Sequence, residues 1–301
     1  MLGEYCNPGE LDNLCRQHSV GFISSQTFGP WGYAFVDYGD NHTVTDHDGE
    51  ATKSFIVTMI EKGTTTTITT HEDKRHIYQE GDHVKLVEVE GMVEINATEP
   101  LKILSTKKDS FVVELDSSGF NDYTRQGVVE NTKVACKHSF HPWNQSFKNP
   151  VASSNYGMLE TPDLAKFGRS DQLHAALFGI TEFVAANNKY PESGDRDACL
   201  ALAKAFIEKN QAEDQGNHNP DIEDDVFTKA VSYAGSAISP MAAFYGGIVA
   251  QEIVKYTGKY SPLKQWLHFD IYETLPREEN VDRSPMGSRY DDQIKIYGRA
   301  V

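Results

Sequence analysis

Four cysteines, Cys6, Cys15, Cys136 and Cys199, are the side chains of this sequence best suited to act as nucleophiles. They are spread along the chain, and no two have the close spacing of a zinc site or a redox pair. None lies in a sequence setting that marks an activated thiolate. Four cysteines in 301 residues are also far too few for a disulfide scaffold. We therefore predict no catalytic cysteine.

Two groups of histidines and one run of acidic residues are the other candidates for chemistry. His71, His76 and His83 match no recognised spacing of metal ligands, and we expect a solvated loop. His138 and His141 are expected to lie in a linker. The acidic residues 221–225 precede a predicted helix, where they favour the helix dipole, and no calcium-loop pattern surrounds them.

Loops that bind nucleotide phosphates are missing from the sequence. It contains neither G-x-G-x-x-G nor a Walker A run. We therefore assign no catalytic, cofactor-binding or metal-binding residue. The residues alone do not indicate a self-sufficient enzyme.

The charge balance excludes two classes of partner. The formal net charge is −16, which disfavours a general surface for nucleic acid or anionic membranes. No apolar run reaches the roughly 18–20 residues of a membrane helix. The N-terminus lacks the apolar core of a signal peptide. We expect a reducing compartment of the cytosolic type.

The elements that would position any site change character along the chain. Residues 1–36 predict one helix and two short strands, which are too little for a core and resemble the end of an α/β unit. Residues 37–140 carry short alternating runs with turn signals about every ten residues, which predicts an antiparallel β domain. Its expected buried side chains are Val84, Leu86, Val89, Ile103, Phe111 and Val113.

Helices dominate the second half of the predicted fold. Residues 141–150 are expected to form a polar linker, and residues 151–227 a small helical bundle with periodic apolar positions. A helix from Pro240 to about Tyr256 and a buried strand at 265–270 follow in 228–276. Residues 277–288 form a charged linker, and 289–301 look like the opening of another domain. The fold class is α+β and multi-domain.

Two glycines lie inside the helix that begins at Pro240. Gly246 and Gly247 each cost about 1 kcal/mol relative to Ala, and further small residues recur four positions apart. We expect this small-residue face to pack closely against a sheet or a partner helix. Ordinary core packing is preferred to a ligand site.

Several segments resemble the ubiquitin-activating enzymes. The helix and strand resemble the end of their inactive adenylation half, 90–103 and 121–123 resemble their first catalytic-cysteine half-domain, and 288–298 resembles the entry to their active adenylation half. The residues that carry the resemblance are SPMAAFYGGIVAQEIVK (239–255), GKYSPLKQWLHFD (258–270), EGMVEIN (90–96), PLKI (100–103), NDY (121–123) and SRYDDQIKIYG (288–298).

The resemblance implies a function and an assignment of domains. The family uses ATP and magnesium to adenylate the ubiquitin C-terminus, captures it as a cysteine thioester and passes it to a conjugating enzyme. The β domain would be inserted in a partial α/β adenylation fold, followed by a four-helix bundle. The glycine loop and the catalytic cysteine are expected outside residues 1–301, so no catalytic residue carries over. The implied locations are the cytoplasm and the nucleus.

Two alternatives stay open at this point. The chain could be a non-catalytic module that binds ubiquitin or a conjugating enzyme. It could also be the corresponding part of an enzyme that activates another ubiquitin-like modifier. The large β insertion favours the ubiquitin or dual-specificity branch.

Overall fold

The computed structural model describes residues 7–72, 75–152, 159–213, 218–277 and 281–299. The described helices are α1 (Pro8–Gln17), α2 (Trp143–Lys148), α3 (Arg169–Asn187), α4 (Arg196–Ala212), α5 (Asp224–Ser232), α6 (Ser239–Lys255) and α7 (Asp291–Tyr297). The described strands are β1 (Phe22–Phe28), β2 (Trp31–Asp37), β3 (His42–Val44), β4 (Ser54–Glu61), β5 (Thr66–Thr70), β6 (His83–Val87), β7 (Leu101–Thr106), β8 (Ser110–Val113), β9 (Val128–Asn131), β10 (Cys136–His138) and β11 (Trp266–Asp270).

These elements form two compact units. The helical unit consists of the described parts of Met1–His42, Lys137–Thr257 and Pro262–Val301. The barrel unit consists of the described parts of Thr43–Cys136 and Gly258–Ser261. The chain therefore enters the barrel unit from the helical unit and returns to it.

The barrel unit is a closed antiparallel barrel, in the strand order β4-β5-β8-β7-β6-β9. Alternate side chains of its strands point inward, as the period-2 pattern predicts. All six side chains predicted to be buried are at most 2% exposed, so that prediction is confirmed. The predicted β domain also contains a short helical segment. Val93–Ala97 is a 3-10 helix whose Ile95 fills the barrel core.

A three-stranded antiparallel sheet forms one layer of the helical unit. β2 lies in its centre between β1 and β11, and every residue of β2 is buried. Its aromatic side chains pack against the helices. Trp31 and Trp266 are fully buried there, which is the burial expected for the strand at 265–270.

Helix α2 corrects the prediction of a linker at 141–150. Trp143 and Phe147 lie four residues apart, are buried, and stack on each other at 5.7 Å. The Phe147 ring contacts Phe178 of α3 and Phe206 of α4. The polar residues between the two anchors are typical of a linker, but the anchors bind this helix to the core. Helices α2 to α5 share that core.

Helix α6 forms as predicted, but the predicted close packing against its two glycines is wrong. Gly246 and Gly247 are exposed, and a Cβ added at either position would meet no atom within 4 Å. The packed side of the helix is formed by Met241 and Tyr245, which join Ala34 in a second cluster. The small residues lie on the other side, which no described element covers.

Residues 281–299, expected as a linker and the opening of a further domain, belong to the helical unit. Helix α7 buries Ile294 and Ile296, and Ile296 joins the cluster of Ala34, Met241 and Tyr245.

Candidate functional site

The structure places three of the four cysteines. Cys199 is buried in α4, where desolvation and the nearby Asp195 raise the pKa of its thiol to about 11. Such a thiol stays protonated at neutral pH and is a poor nucleophile. Cys15 is half-buried and Cys136 is exposed. Cys6 lies outside the described residues.

The histidines singled out in the sequence have different surroundings. His76 was expected in a solvated loop, and this is wrong: it is 8% exposed and stacks on Tyr78 at 5.6 Å. Its Nε2 lies 3.2 Å from the Ser110 carbonyl oxygen, so the ring joins the wall of the barrel core. His83 lies in β6 and is half-buried. Among the described residues, no group of three or more His, Cys, Asp or Glu is arranged to hold a metal ion.

A cluster of three buried histidines in the helical unit was missed by the sequence analysis. His174 of α3 is fully buried, with Nε2 3.0 Å from the Phe147 carbonyl oxygen and Nδ1 3.2 Å from Nε2 of His268. The carbonyl requires an N–H on His174 Nε2, so His174 Nδ1 is the acceptor and His268 Nε2 the donor. The ring of His218 lies 5.5 Å from that of His174, at a right angle to it.

Burial keeps these imidazoles neutral. Desolvation lowers the pKa of His268 to about 3 and that of His218 to about 4, and it lowers the pKa of His174 well below the ordinary value. Within the described part of the chain, Nδ1 of His268 and Nε2 of His218 have no hydrogen-bond partner. A general base needs a pKa near the working pH and access to substrate. The cluster therefore has a structural character.

A second buried network joins α1, the end of β2 and the start of α2. Asp12 is fully buried, and its Oδ2 accepts a hydrogen bond from the Trp143 backbone N–H at 2.6 Å. Asp37 lies beside it and binds Arg16 through both carboxylate oxygens, at 2.6 and 3.0 Å. Arg16 also donates to Asp40 at 2.9 Å and to the Phe140 carbonyl oxygen at 2.5 Å.

The carboxyl groups of Asp12 and Asp37 lie side by side in this network, and Asp37 bonds the arginine. Desolvation and the neighbouring charge of Asp37 raise the pKa of Asp12 to about 7, against the hydrogen bond from Trp143. Its protonated form can donate to Asp37, whereas its ionised form faces a second carboxylate. The arginine holds α1 at the point where the chain leaves the sheet. No local spacing in the sequence marks this set, because its members are far apart along the chain.

Exposed apolar side chains mark two surfaces. In the barrel unit, Ile56 and Met59 of β4 are 60% and 50% exposed, because their positions on the strand point outward. In the helical unit, Leu164 and Phe167 are 84% and 68% exposed in the loop before α3. Within the described ranges, no helix is long and apolar enough to cross a membrane.

Comparison with protein-family models matches two parts of the chain. The model "Ubiquitin-activating enzyme E1 FCCH domain" matches residues 63–133, which lie in the barrel unit. The model "Ubiquitin-activating enzyme E1 four-helix bundle" matches residues 134–208, which include α2, α3 and most of α4.

Comparison with curated proteins extends the similarity to nearly the whole chain. "Ubiquitin-activating enzyme E1 1" of Candida albicans (strain WO-1) is 34% identical over 303 residues, covering 97% of this chain. The Arabidopsis thaliana protein of the same name is 33% identical over 96% of the chain, as is the "Ubiquitin-like modifier-activating enzyme 1" of Homo sapiens. The matched segment spans only 27–28% of the length of these relatives.

Proposed function

Because the chain belongs to the family of the ubiquitin-activating enzymes, and spans 27–28% of the length of these relatives, we propose that it is part of the scaffold of such an enzyme. The parent protein would adenylate the C-terminus of ubiquitin with ATP and magnesium. It would then capture the acyl group as a cysteine thioester and pass it to a ubiquitin-conjugating enzyme. The single observation that carries this proposal is the identity of 33–34% over 96–97% of the chain.

The domains take their proposed roles from the same resemblance. Residues 37–140 would be the first catalytic-cysteine half-domain, inserted in an inactive adenylation half formed by 1–36 and 228–276. The four-helix bundle would comprise helices α2 to α5, so it takes in the predicted linker 141–150 as well as the predicted bundle 151–227. Residues 277–288 would lead to 289–301, the start of the active adenylation half. We place the protein in the cytoplasm and nucleus.

ATP and magnesium do not fit the residues present. The sequence has no phosphate-binding glycine loop, and the described residues offer no cluster of metal ligands. We therefore assign no catalytic step to residues 1–301. The proposal is that this segment supports and flanks the chemistry of the parent protein.

An assay for thioester formation tests whether this segment has catalytic activity of its own. The chain is incubated with ATP, magnesium and ubiquitin and then run on a non-reducing gel. We expect no adduct, because adenylation needs preorganised donors around the phosphates and capture needs an activated thiolate. A reducible adduct that disappears in Cys136→Ala would make the chain an enzyme in its own right.

Ubiquitin binding is proposed to occur on the barrel unit, because in the family this domain flanks the bound modifier. Ile56 and Met59 offer an outward apolar surface on one strand, and burial of such surface drives association. We expect only weak binding, since a small interface leaves little surplus over the cost of association.

Isotope-labelled ubiquitin titrated with the chain measures this contact. The double variant Ile56→Lys/Met59→Lys should reduce the chemical-shift changes at least fivefold. Leu164→Lys/Phe167→Lys is the matched control, because it makes the same chemical change on the helical unit. Equal loss in both variants would contradict the assignment to the barrel.

A second candidate modifier follows from the name of the human relative, a "Ubiquitin-like modifier-activating enzyme 1". Repeating the titration with other ubiquitin-like proteins separates the two candidates. Preference for one of them over ubiquitin would favour that candidate.

A further inference from the structure

A cationic cavity in the helical unit has no role in the function proposed above. It measures about 500 Å³, opens to solvent, and lies among α5, α7, residues 275–277 and Arg283. Four of its lining side chains are basic, and two serines also line it. These residues are Lys229, Arg277, Arg283, Lys295, Ser193 and Ser232.

The positive charge of this cavity contrasts with the rest of the protein. The whole chain has 28 basic and 44 acidic residues, yet none of the described residues that line the cavity is acidic. Lys229 binds Asp225 at 2.6 Å. For Arg277, Arg283 and Lys295, the described part of the chain provides no ion-pair partner. Among the described residues, three cations therefore line one space without an ion pair of their own.

Arg283 gives independent evidence that a ligand belongs there. Its Nε atom is buried and finds no hydrogen-bond partner among the residues that the structure describes. Leaving a buried charged donor unpaired is costly, so such a group usually faces water, an ion or a ligand. The guanidinium fork matches anions that accept two parallel hydrogen bonds.

We propose that this cavity is a binding site for a small phosphate-bearing anion of the size of pyrophosphate. Arg283 would bind one phosphate group with two N–H donors, and Lys295 and Arg277 would supply point charge to the second. The hydroxyl groups of Ser193 and Ser232 can donate to the remaining oxygens. The volume lies within the range of small-molecule pockets and exceeds the need of a single carboxylate.

The charges around the cavity also determine how the binding of the anion depends on salt. The overall charge of −16 repels anions at long range, so binding must come from the local cations. Charges exposed to solvent are screened over about 8 Å at physiological ionic strength. We therefore expect weaker binding as salt rises, but retention of a saturable site because part of Arg283 is desolvated.

Isothermal titration of the full chain with pyrophosphate, phosphate and citrate in magnesium-free buffer tests the proposal. We expect saturable binding, tightest for pyrophosphate. The variant Arg283→Gln/Lys295→Gln should weaken it at least tenfold. Lys204→Gln/Lys209→Gln removes the same charge from the exposed side of α4 and should change the affinity less than twofold.

The single variant Arg277→Gln separates loss of the site from loss of folding. It alters an exposed side chain, so the fold should be kept, and it should still weaken binding at least threefold. Absence of saturable binding to the wild-type chain would overturn the proposal. Equal weakening by the control pair on α4 would also overturn it, and tighter binding of citrate would overturn the assignment to phosphate. The test needs neither ubiquitin nor ATP, so its outcome is independent of the proposed function.

Discussion

Replacing the buried carboxyl of Asp12 by an amide should stabilise the helical unit, and more so at alkaline pH. In the wild type, Asp12 is fully buried, accepts one hydrogen bond from the Trp143 backbone and lies beside Asp37. Asp12→Asn keeps an acceptor for Trp143 and places a donor towards Asp37. It therefore mimics the protonated carboxyl at every pH.

The magnitude follows from the pKa difference. The pKa of Asp12 is raised from 3.8 to about 7 on folding, so its ionisation favours the unfolded chain. At pH 8 the penalty is about 4 kcal/mol, from roughly 1.4 kcal/mol per pKa unit over about three units. At pH 5 the folded carboxyl is protonated, and the penalty falls to about 2 kcal/mol. The contribution of Asp12 to the stability of the wild type is thus lost progressively as the pH rises from about 3.8 to about 7, and the variant escapes that loss.

Urea unfolding followed by tryptophan fluorescence measures this effect. All three tryptophans, Trp31, Trp143 and Trp266, lie in the core of the helical unit, so the signal reports that unit. Asp40→Asn is the control, because it removes an exposed carboxylate from the same Arg16. Surface ion pairs contribute about 0–1 kcal/mol, so the control should change little.

The test compares the gain in free energy of unfolding that Asp12→Asn gives at pH 8 with the gain that it gives at pH 5. A uniform effect of the amide on packing would be equal at both pH values. A gain that is no larger at pH 8, or a destabilisation there, would refute the buried-carboxyl account.

Three further outcomes are expected. Gly247→Ala should raise the free energy of unfolding by about 0.5–1 kcal/mol in the same assay, because the added methyl meets no atom and Ala favours a helix; a loss would revive the close-contact hypothesis. Phe111→Ala should cost about 3–5 kcal/mol in the barrel core, seen as faster hydrogen exchange of its strands, and unchanged protection would contradict that packing. In the Asp12→Asn background, lowering the pH from 7.5 to 5 should cost about 2 kcal/mol for each of His218 and His268. Because the pKa of both histidines is lowered by folding, their contribution to stability is complete above pH 6.5. It is lost as the pH falls below 6.5, where these histidines take up protons in the unfolded chain first. A urea midpoint that does not change with pH would argue against neutral burial.

Regular periodicity made the barrel and the long helices predictable. Phe111 and Val113 alternate along one strand, and their burial follows from that local pattern. Helix α2 was not predicted because six residues are too few to show a helical period. The spacing of Trp143 and Phe147 at i and i+4 was nevertheless a usable signal.

Tertiary arrangements could not be read in the same way. The small residues around Gly247 show that a close approach is possible, but only the fold shows whether an element lies there. His174, His218 and His268 meet only because a helix, a loop and a strand converge. The residues of the cationic cavity are likewise scattered from 193 to 295. Their chemistry depends on long-range contacts that spacing does not encode.

The crossing at Gly39 and Phe140 has a consequence for evolution and for protein engineering. The Phe140 N–H donates to the Gly39 carbonyl oxygen at 3.1 Å, and Arg16 bonds both Asp37 and Phe140. The ends of the intervening stretch of roughly 100 residues are thus already tied together, and the entropic cost of closing a loop grows only slowly with its length. The part of the barrel unit that lies between residues 39 and 140 is therefore an insertion whose ends are held together independently of its own fold. Another domain with adjacent termini, or a short turn, could be spliced between these two residues while the sheet β1-β2-β11 keeps its register.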